Sequence, residues 1–304
     1  FGGGGSVPSA EARREIAEAR EEIYSLGVAL ADRVLGDSAD VRRRIVDLGG
    51  DHLLLRMEPG LLRVPWELMV PERGSRHLWQ LFHMGRQVRD ARGAEARAEA
   101  AGLPLRVLLL ANLEETTPGR ALPDAEREAA LLLELGAARP HLLRVVRRSP
   151  RDPDELRDAL AGGFDVVHFA GHASYGTEGP VGWVLPGGVA SDGILAGLSV
   201  PPPSIVFSNA CGTGPGTSLA ESGSPDLALA FLSWGARTYL GTLWELHDAA
   251  SADFAASFYR ALLGGASIGQ AVTAARTHLL GRHPVAWANY VLYGDPASVP
   301  LPRF

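Results

Sequence analysis

Val166-Val-His-Phe-Ala-Gly-His172 and Ile205-Val-Phe-Ser-Asn-Ala-Cys-Gly212 are the two stretches that decide the fold class of this chain. Each is a short apolar run that ends in polar residues and glycine, the pattern of a buried strand in a parallel sheet. Along the chain, further apolar runs alternate with segments of helical periodicity. The apolar runs lie at 105–113, 142–146 and 238–244, and the helical segments lie at 124–138, 153–160, 227–235, 249–263 and 268–280. Strand and helix in turn predict an α/β fold with a mainly parallel sheet flanked by helices.

The N-terminal part of the chain is predicted to form a smaller lobe packed on this sheet. Apolar residues at steps of three and four predict an amphipathic helix over 9–35, and strands are expected near 51–57 and 81–88. Residues 90–103 are rich in alanine, arginine and glutamate without an apolar stripe, so they are interpreted as a connecting segment.

Three regions follow from these patterns. Residues 1–8 are glycine-rich and are interpreted as a flexible linker or a remnant of the expressed sequence. Residues 9–103 are expected to be the N-terminal lobe with its connecting segment. Residues 104–304 are expected to be the larger lobe that contains most of the sheet.

The composition indicates a folded protein and excludes some partners. The 304 residues are 46% hydrophobic and carry a net charge of −6, and the basic residues are all arginines. The densest basic group, Arg144, Arg147, Arg148 and Arg151, lacks interleaved aromatic residues, so no nucleic-acid partner is expected. No apolar run approaches the ~18 residues that a membrane-spanning helix needs, so no membrane partner is expected. The single cysteine excludes an internal disulfide and is typical of a reducing compartment, which favours a cytoplasmic location.

His172 and Cys211 are the candidate reactive residues. The carboxyl ends of strands in an open α/β sheet form the crevice where ligands bind, and both residues fall there. An imidazole can take the proton of a thiol, and the thiolate is the attacking species in acyl transfer. Gly171 and Gly212 flank the pair and would let a substrate backbone approach closely. A lone buried cysteine is also a common packing residue, so from these residues alone both interpretations stay open.

A set of motifs gives a more specific indication. The motifs are Pro65-Trp-Glu-Leu68, His168-Phe-Ala-Gly-His172, Ser208-Asn-Ala-Cys211, Gly235-Ala-Arg237, Gly241-Thr-Leu-Trp244 and Ala288-Asn-Tyr-Val-Leu-Tyr-Gly-Asp-Pro296. Together and in this order they resemble CHAT domains, which are relatives of caspases and separases. The resemblance implies a caspase-like fold, with residues 104–304 as the catalytic lobe of a cysteine peptidase.

The resemblance also implies the roles of particular residues. Cys211 would be the nucleophile and His172 its general base, with the backbone N–H groups of Gly171 and Cys211 stabilising the oxyanion. His168 lies inside its strand and is expected to have a structural role. No cofactor and no metal are expected, the partner would be a protein substrate, and an activating domain or subunit in a bacterial defence or signalling system is anticipated.

The residues that would choose the substrate are acidic. The segment 243–248 is similar to the part of separases that supplies the pocket for arginine, which makes Asp248 the first candidate. Glu245 and Asp226 are the next candidates. Asp248 could equally be the N-cap of the helix that begins at Ala249.

Other classes of protein fit less well. Asn209 stands where caspases have glutamine, and no arginine lies beside Cys211, so cleavage after aspartate is not expected. The loop 212–217 is rich in glycine but no helix follows it directly, which argues against a dinucleotide site. The main hypothesis is a cysteine endopeptidase. The alternative is a catalytically silent caspase-like module that binds a protein partner, against which the intact histidine and cysteine argue.

Overall fold

The computed structural model describes residues 10–88, 102–111, 113, 122–174, 180–191, 200–212, 224–243, 249–280, 282, 283 and 285–301, with the backbone alone at Ala10, Ala12, Cys211, Gly212, Ser224 and Ala249. The strands are β1 (His52–Met57), β2 (His83–Val88), β3 (Leu105–Ala111), β4 (Leu143–Arg147), β5 (Val166–Ser174), β6 (Gly182–Leu185), β7 (Gly188–Ser191), β8 (Ile205–Gly212), β9 (Thr238–Thr242) and β10 (Tyr290–Tyr293). The helices are α1 (Ala10–Leu35), α2 (Ala39–Asp47), α3 (Leu78–Leu81), α4 (Pro123–Ala138), α5 (Pro153–Leu160), α6 (Ser224–Trp234), α7 (Ala249–Leu263) and α8 (Ile268–Leu280). The predicted linker at 1–8 and most of the predicted connecting segment lie outside the described residues.

The strands form one twisted sheet in the part of the chain that the structure describes. Eight of them follow the order β1-β2-β10-β9-β8-β5-β3-β4, and the hairpin β6–β7 pairs with the end of β5. Along the main path every pair is parallel except β9 with β10. The predicted α/β architecture with a mainly parallel sheet is therefore confirmed.

The region predicted as the N-terminal lobe contributes strands to this same sheet. β1 pairs with β2, and β2 pairs with β10, where Arg86 is the register partner of Tyr293. Helix α1 packs closely on the short 3₁₀ helix Trp66–Leu68, because a Cβ at Gly27 would lie only 2.1 Å from the carbonyl oxygen of Leu68. The two predicted lobes thus belong to one hydrogen-bonded sheet.

The glutamate of the motif Pro65-Trp-Glu-Leu68 forms a buried ion pair. Glu67 binds the guanidinium of Arg86 on β2, and Arg86 also donates to the carbonyl of Leu62. Burial alone would raise the pKa of Glu67, but the positive charges of Arg86 and Arg276 outweigh it and hold that pKa below its usual value. Burial lowers the pKa of Arg276 to about 10, so this guanidinium stays charged at neutral pH.

Two apolar clusters cover the two faces of the sheet. On one face, Val166 and Phe207 pack against α4, α7 and α8. On the other face, Val167 and Val206 pack against α5, α6 and the hairpin β6–β7. Successive residues of a strand point to opposite faces, so the face of any position on β5 and β8 can be read from its place in the alternation. No helix among the described residues is long and apolar enough to cross a membrane.

Candidate active site

His172 and Cys211 occupy neighbouring positions at the carboxyl ends of two adjacent parallel strands. His172 lies on β5 and Cys211 on β8, and they are register partners. Neighbouring strands of a sheet lie about 4.8 Å apart, so the two backbones are within the reach of one side chain from the other. The fold thus brings together the two residues that sequence reasoning selected.

Both positions belong to the face of the sheet that α4, α7 and α8 cover. On β5 this face carries Val166, His168 and Ala170, and His172 is the next position of the alternation. On β8 it carries Ile205, Phe207 and Asn209, and Cys211 is the next position. The side chain of His172 is half-buried, whereas that of His168 is fully buried. A reacting group at this edge would therefore lie between the sheet and the solvent.

A buried polar network lies directly behind this edge. Oε1 of Glu128 on α4 accepts a hydrogen bond from Nε2 of His168 at 2.8 Å and one from Nδ2 of Asn209 at 2.6 Å. The hydroxyl of Tyr259 on α7 lies 3.2 Å from the other ring nitrogen of His168. Burial, and then the charge of Glu128, raise the pKa of Tyr259 well above that of a free tyrosine, so its hydroxyl is neutral. The expected structural role of His168 remains a prediction, which these contacts support.

Sequence reasoning did not single out Glu128 or Tyr259. The signal was present in α4, whose inward residues Ala125, Ala129 and Leu132 are apolar and buried while Glu128 lies on the same side. A carboxylate in an apolar helix face is costly unless it is hydrogen-bonded. A glutamate in such a pattern is therefore a candidate for a role beyond packing.

The opposite face of β5 and β8 explains two other motif residues. The ring of Phe169 stacks on that of Trp183 with 4.4 Å between centroids, and a Cβ at Gly171 would lie 2.8 Å from the Phe169 ring. Ser208 is buried on this face and accepts a hydrogen bond from the indole N–H of Trp183 at 3.0 Å. Gly171 is thus required by the packing of its own strand, and the side chain of Ser208 points away from the face of His172.

Asp226 is the pocket candidate that lies among the described residues. The backbone N–H of Leu243, next after β9, donates to the side-chain oxygen of buried Asn289 at 2.8 Å. Glu245 and Asp248 follow Leu243 and lie outside the described residues. Asp226 is exposed at the start of α6 and forms an ion pair with Arg63 at 3.1 Å. The candidate N-cap role of Asp248 stays a prediction.

The chain matches a known protein family over most of its length. A family model described as the CHAT domain matches residues 25–295. This chain belongs to the CHAT domain family. The predicted membership is confirmed, and the match takes in both lobes, with the candidate pair and the Glu67 motif inside it.

The curated relatives match this chain over a short segment of a much longer protein. Tetratricopeptide repeat protein 28 of Mus musculus is 36% identical over 80 residues, which is 25% of this chain. The human protein of the same name is 35% identical over a segment of the same length. This chain spans 3% of the length of either relative.

Solved structures share the fold at low sequence identity. Separase of Saccharomyces cerevisiae, in its complex with securin, has a TM-score of 0.51 and 15% identity, with 80% of this chain and 15% of that chain covered. The Arg-specific cysteine proteinase gingipain R has a TM-score of 0.53 and 14% identity, with 97% of this chain and 69% of that chain covered. This CHAT domain therefore has the caspase-like fold of a cysteine peptidase.

Proposed function

We propose that this chain is a cysteine endopeptidase in which Cys211 is the nucleophile and His172 the general base. One observation supports this most strongly: the two residues are register partners at the carboxyl edge of a parallel sheet. In an open α/β sheet this edge is where ligands bind, and a thiol beside an imidazole needs no cofactor to attack an acyl group.

The proposed reaction has two halves. His172 takes the proton of the Cys211 thiol, and the thiolate attacks the carbonyl carbon of the scissile peptide bond, forming a C–S bond. The backbone N–H groups of Gly171 and Cys211 stabilise the negative oxygen of the tetrahedral intermediate. The C–N bond then breaks as His172 gives its proton to the leaving amine. Water hydrolyses the thioester with His172 again as base, which releases the acid product and restores the thiol.

The substrate is proposed to be cleaved after a basic residue. Asp248 is the first candidate to bind that residue, because its segment resembles the corresponding part of separases. Glu245 is the second candidate. Asp226 is the third, and its ion pair with Arg63 must open before its carboxylate can bind a substrate. Among the structural neighbours, gingipain R is described as Arg-specific, which agrees with a basic preference.

Regulation by another domain or subunit is part of the proposal. Separase was solved in complex with securin, and a gingipain of the same fold was solved as a complex of its pro- and mature domains. The match to Tetratricopeptide repeat protein 28 likewise takes in a small part of a longer chain. A role in bacterial defence or signalling inside the cytoplasm, with one specific protein substrate, fits such control.

The experiment is a cleavage assay with a positional peptide library. The wild-type chain is compared with Cys211→Ala and His172→Ala, and His141→Ala, which removes an exposed histidine before β4, is the matched control. We expect cleavage by the wild type and the control and none by the other two variants. Equal cleavage by wild type and Cys211→Ala would overturn the proposal. Partner binding without any cleavage by the wild type would favour the alternative of an interaction module.

A further inference from the structure

Glu128 is a carboxylate that the core of the domain does not need. Its side chain is 1% exposed and lies among the apolar residues of α4 that pack on the sheet. Taking a carboxylate out of water is costly unless hydrogen bonds and opposite charges compensate. A residue with a packing role alone would be apolar at this position.

The hydrogen bonds of Glu128 are concentrated on one of its two oxygens. Oε1 accepts from both His168 and Asn209, whereas Oε2 has no hydrogen-bond partner among the described residues. Buried polar atoms are paired in the great majority of cases, and an exception calls for an explanation. Half of this carboxylate is thus left available on the face of the sheet where His172 lies.

Asn209 links Glu128 to the carboxyl ends of the strands. A carboxylate can only accept, so the amide nitrogen of Asn209 must face Glu128, and its second contact is the carbonyl of Ser251 at 3.5 Å. The amide oxygen then faces away from Glu128. It is buried and has no hydrogen-bond partner among the residues that the structure describes. The amide therefore presents a fixed acceptor.

The positions next to this acceptor are those of the proposed reacting pair. Asn209 is the register partner of Ala170, and the next register pair on the same face is His172 with Cys211. Two residues along a strand span about 6.7 Å, which an asparagine and a histidine side chain can bridge between them. Ala170 is small, so its methyl group does not fill the space between Asn209 and His172.

We propose that Glu128 and Asn209 are positioning residues for His172. Glu128 holds the Asn209 amide so that its oxygen, which makes no hydrogen bond to the described residues in this structure, accepts one from a ring N–H of His172 when the imidazole becomes protonated in the reaction. The carboxylate charge favours that protonated imidazole, which accompanies the thiolate. This inference rests on the proposed peptidase function, because it assigns a role to groups that act through His172. Neither residue touches the scissile bond.

The groups around Glu128 come from three elements. His168 on β5 and Asn209 on β8 bond to it directly. From α7, the hydroxyl of Tyr259 contacts His168 and the carbonyl of Ser251 contacts Asn209. The ion pair between Arg127 and Asp253 joins α4 to α7 at a more exposed place. Asp253→Asn therefore removes one negative charge from the same pair of helices without changing a residue of the network. It is the matched control.

The test uses the only cysteine of the chain as its reporter. The rate at which iodoacetamide alkylates Cys211 is measured by mass spectrometry from pH 4 to pH 10, which requires no knowledge of the substrate. A thiol coupled to an imidazole titrates in two steps, so the wild type is expected to show two inflections. His172→Ala is expected to show one, near the ordinary thiol value of about 8.5. A wild-type profile identical to that of His172→Ala would overturn the proposed dyad itself.

The positioning role predicts a shift of the upper inflection. In Glu128→Gln and in Asn209→Ala this inflection should move to lower pH by about one unit, because the protonated imidazole loses its acceptor or its negative partner. In the double variant the upper inflection should move no further than in the single variant with the larger shift. Both substitutions break the same link from Glu128 through Asn209 to His172. Asp253→Asn should leave the profile unchanged.

Two results separate failure of this inference from failure of the peptidase proposal. Two inflections in the wild type, with an unmoved upper inflection in both Glu128→Gln and Asn209→Ala, would overturn the positioning role while the dyad stands. Thermal unfolding is measured on each variant. If Glu128→Gln does not fold, Asn209→Ala decides, since it keeps the buried carboxylate bonded to His168.

Discussion

Glu67 and Arg86 form an ion pair that is closed off from solvent. Oε1 of Glu67 lies 3.0 Å from Nε of Arg86, and its second oxygen binds the guanidinium end. Arg86 is 0% exposed and Glu67 is 2% exposed. The pair joins the segment before α3 to β2, which is the strand that connects β1 to the rest of the sheet. Loss of this ion pair should therefore destabilise the packing of the segment before α3 on β2.

Glu67→Gln should lower the free energy of unfolding by about 3 kcal/mol, because it leaves the Arg86 charge buried without its partner. The measurement is urea unfolding at neutral pH, followed by circular dichroism. Glu18→Gln is the matched control, since Glu18 pairs with Arg14 on the exposed side of α1. An exposed pair contributes less than about 1 kcal/mol, so equal losses in the two variants would contradict the buried role of Glu67.

The same ion pair predicts a dependence of stability on pH. The charge of Arg86 holds the pKa of Glu67 below its unfolded value of 4.5 despite burial. A carboxyl with a lowered folded pKa stabilises the fold above its unfolded pKa, and this contribution is lost as the pH falls through the folded pKa. The difference in unfolding free energy between wild type and Glu67→Gln should thus be constant from pH 7 to about pH 5 and shrink in more acidic buffer. A difference that grows with acid would have the wrong sign.

Gly171→Ala should destabilise the domain by about 2 kcal/mol, because the new Cβ would meet the ring of Phe169 at 2.8 Å. The ring is held in place by Trp183, which stacks on it with 4.4 Å between centroids. Phe169→Leu in the same chain should recover part of the loss, which a double-mutant cycle of thermal unfolding measures. Gly60→Ala, where no atom lies within 4 Å of the new Cβ, is the control. Purely additive effects would refute the steric explanation.

Ser208→Ala should cost about 1–2 kcal/mol of stability, because the indole N–H of Trp183 loses its acceptor in the core. Cleavage of the library peptides should stay within about twofold of the wild type, since Ser208 lies on the face of β8 opposite to His172. A large loss of cleavage in a variant that is still folded would place Ser208 in the reaction instead.

Asp248→Asn should reduce kcat/KM for peptides with arginine before the scissile bond by about 100-fold, the cost of removing one partner of a desolvated charge pair. Peptides with an uncharged residue there should be affected far less. Asp226→Asn tests the third pocket candidate, whose carboxylate already pairs with Arg63, and a smaller effect is expected. Cleavage after arginine that is unchanged in Asp248→Asn would exclude Asp248 from the pocket.

Local patterns predicted most of the larger elements. The bounds predicted for Pro153–Leu160, Ala249–Leu263 and Ile268–Leu280 are those of the structure. The first of these helices has a clear start, since Asp152 caps it by accepting from the backbone N–H groups of Asp154 and Glu155. An amphipathic stripe and a cap depend on residues within a few positions of each other, so sequence alone suffices for them.

Sequence patterns did not predict the shortest strands or the helix that has no apolar stripe. β10 has four residues that are all buried, so it shows no alternation of apolar and polar side chains. The hairpin strands β6 and β7 are also four residues long. Helix α2 has no buried residue, so no apolar stripe marks it. A stretch of four residues is too short for either period to be recognised.

The order of residues determined the chemistry that this domain can offer and the family to which it belongs. The motifs around His172 and Cys211 are local strings, and each strand ends where its apolar run ends. Tertiary structure alone decided which strands are neighbours, with β10 inserted between β2 and β9. It also decided that Glu128 meets Asn209, 81 positions further along the chain. Such a contact depends on how whole helices pack on the sheet, and a pattern of neighbouring residues holds no information about it.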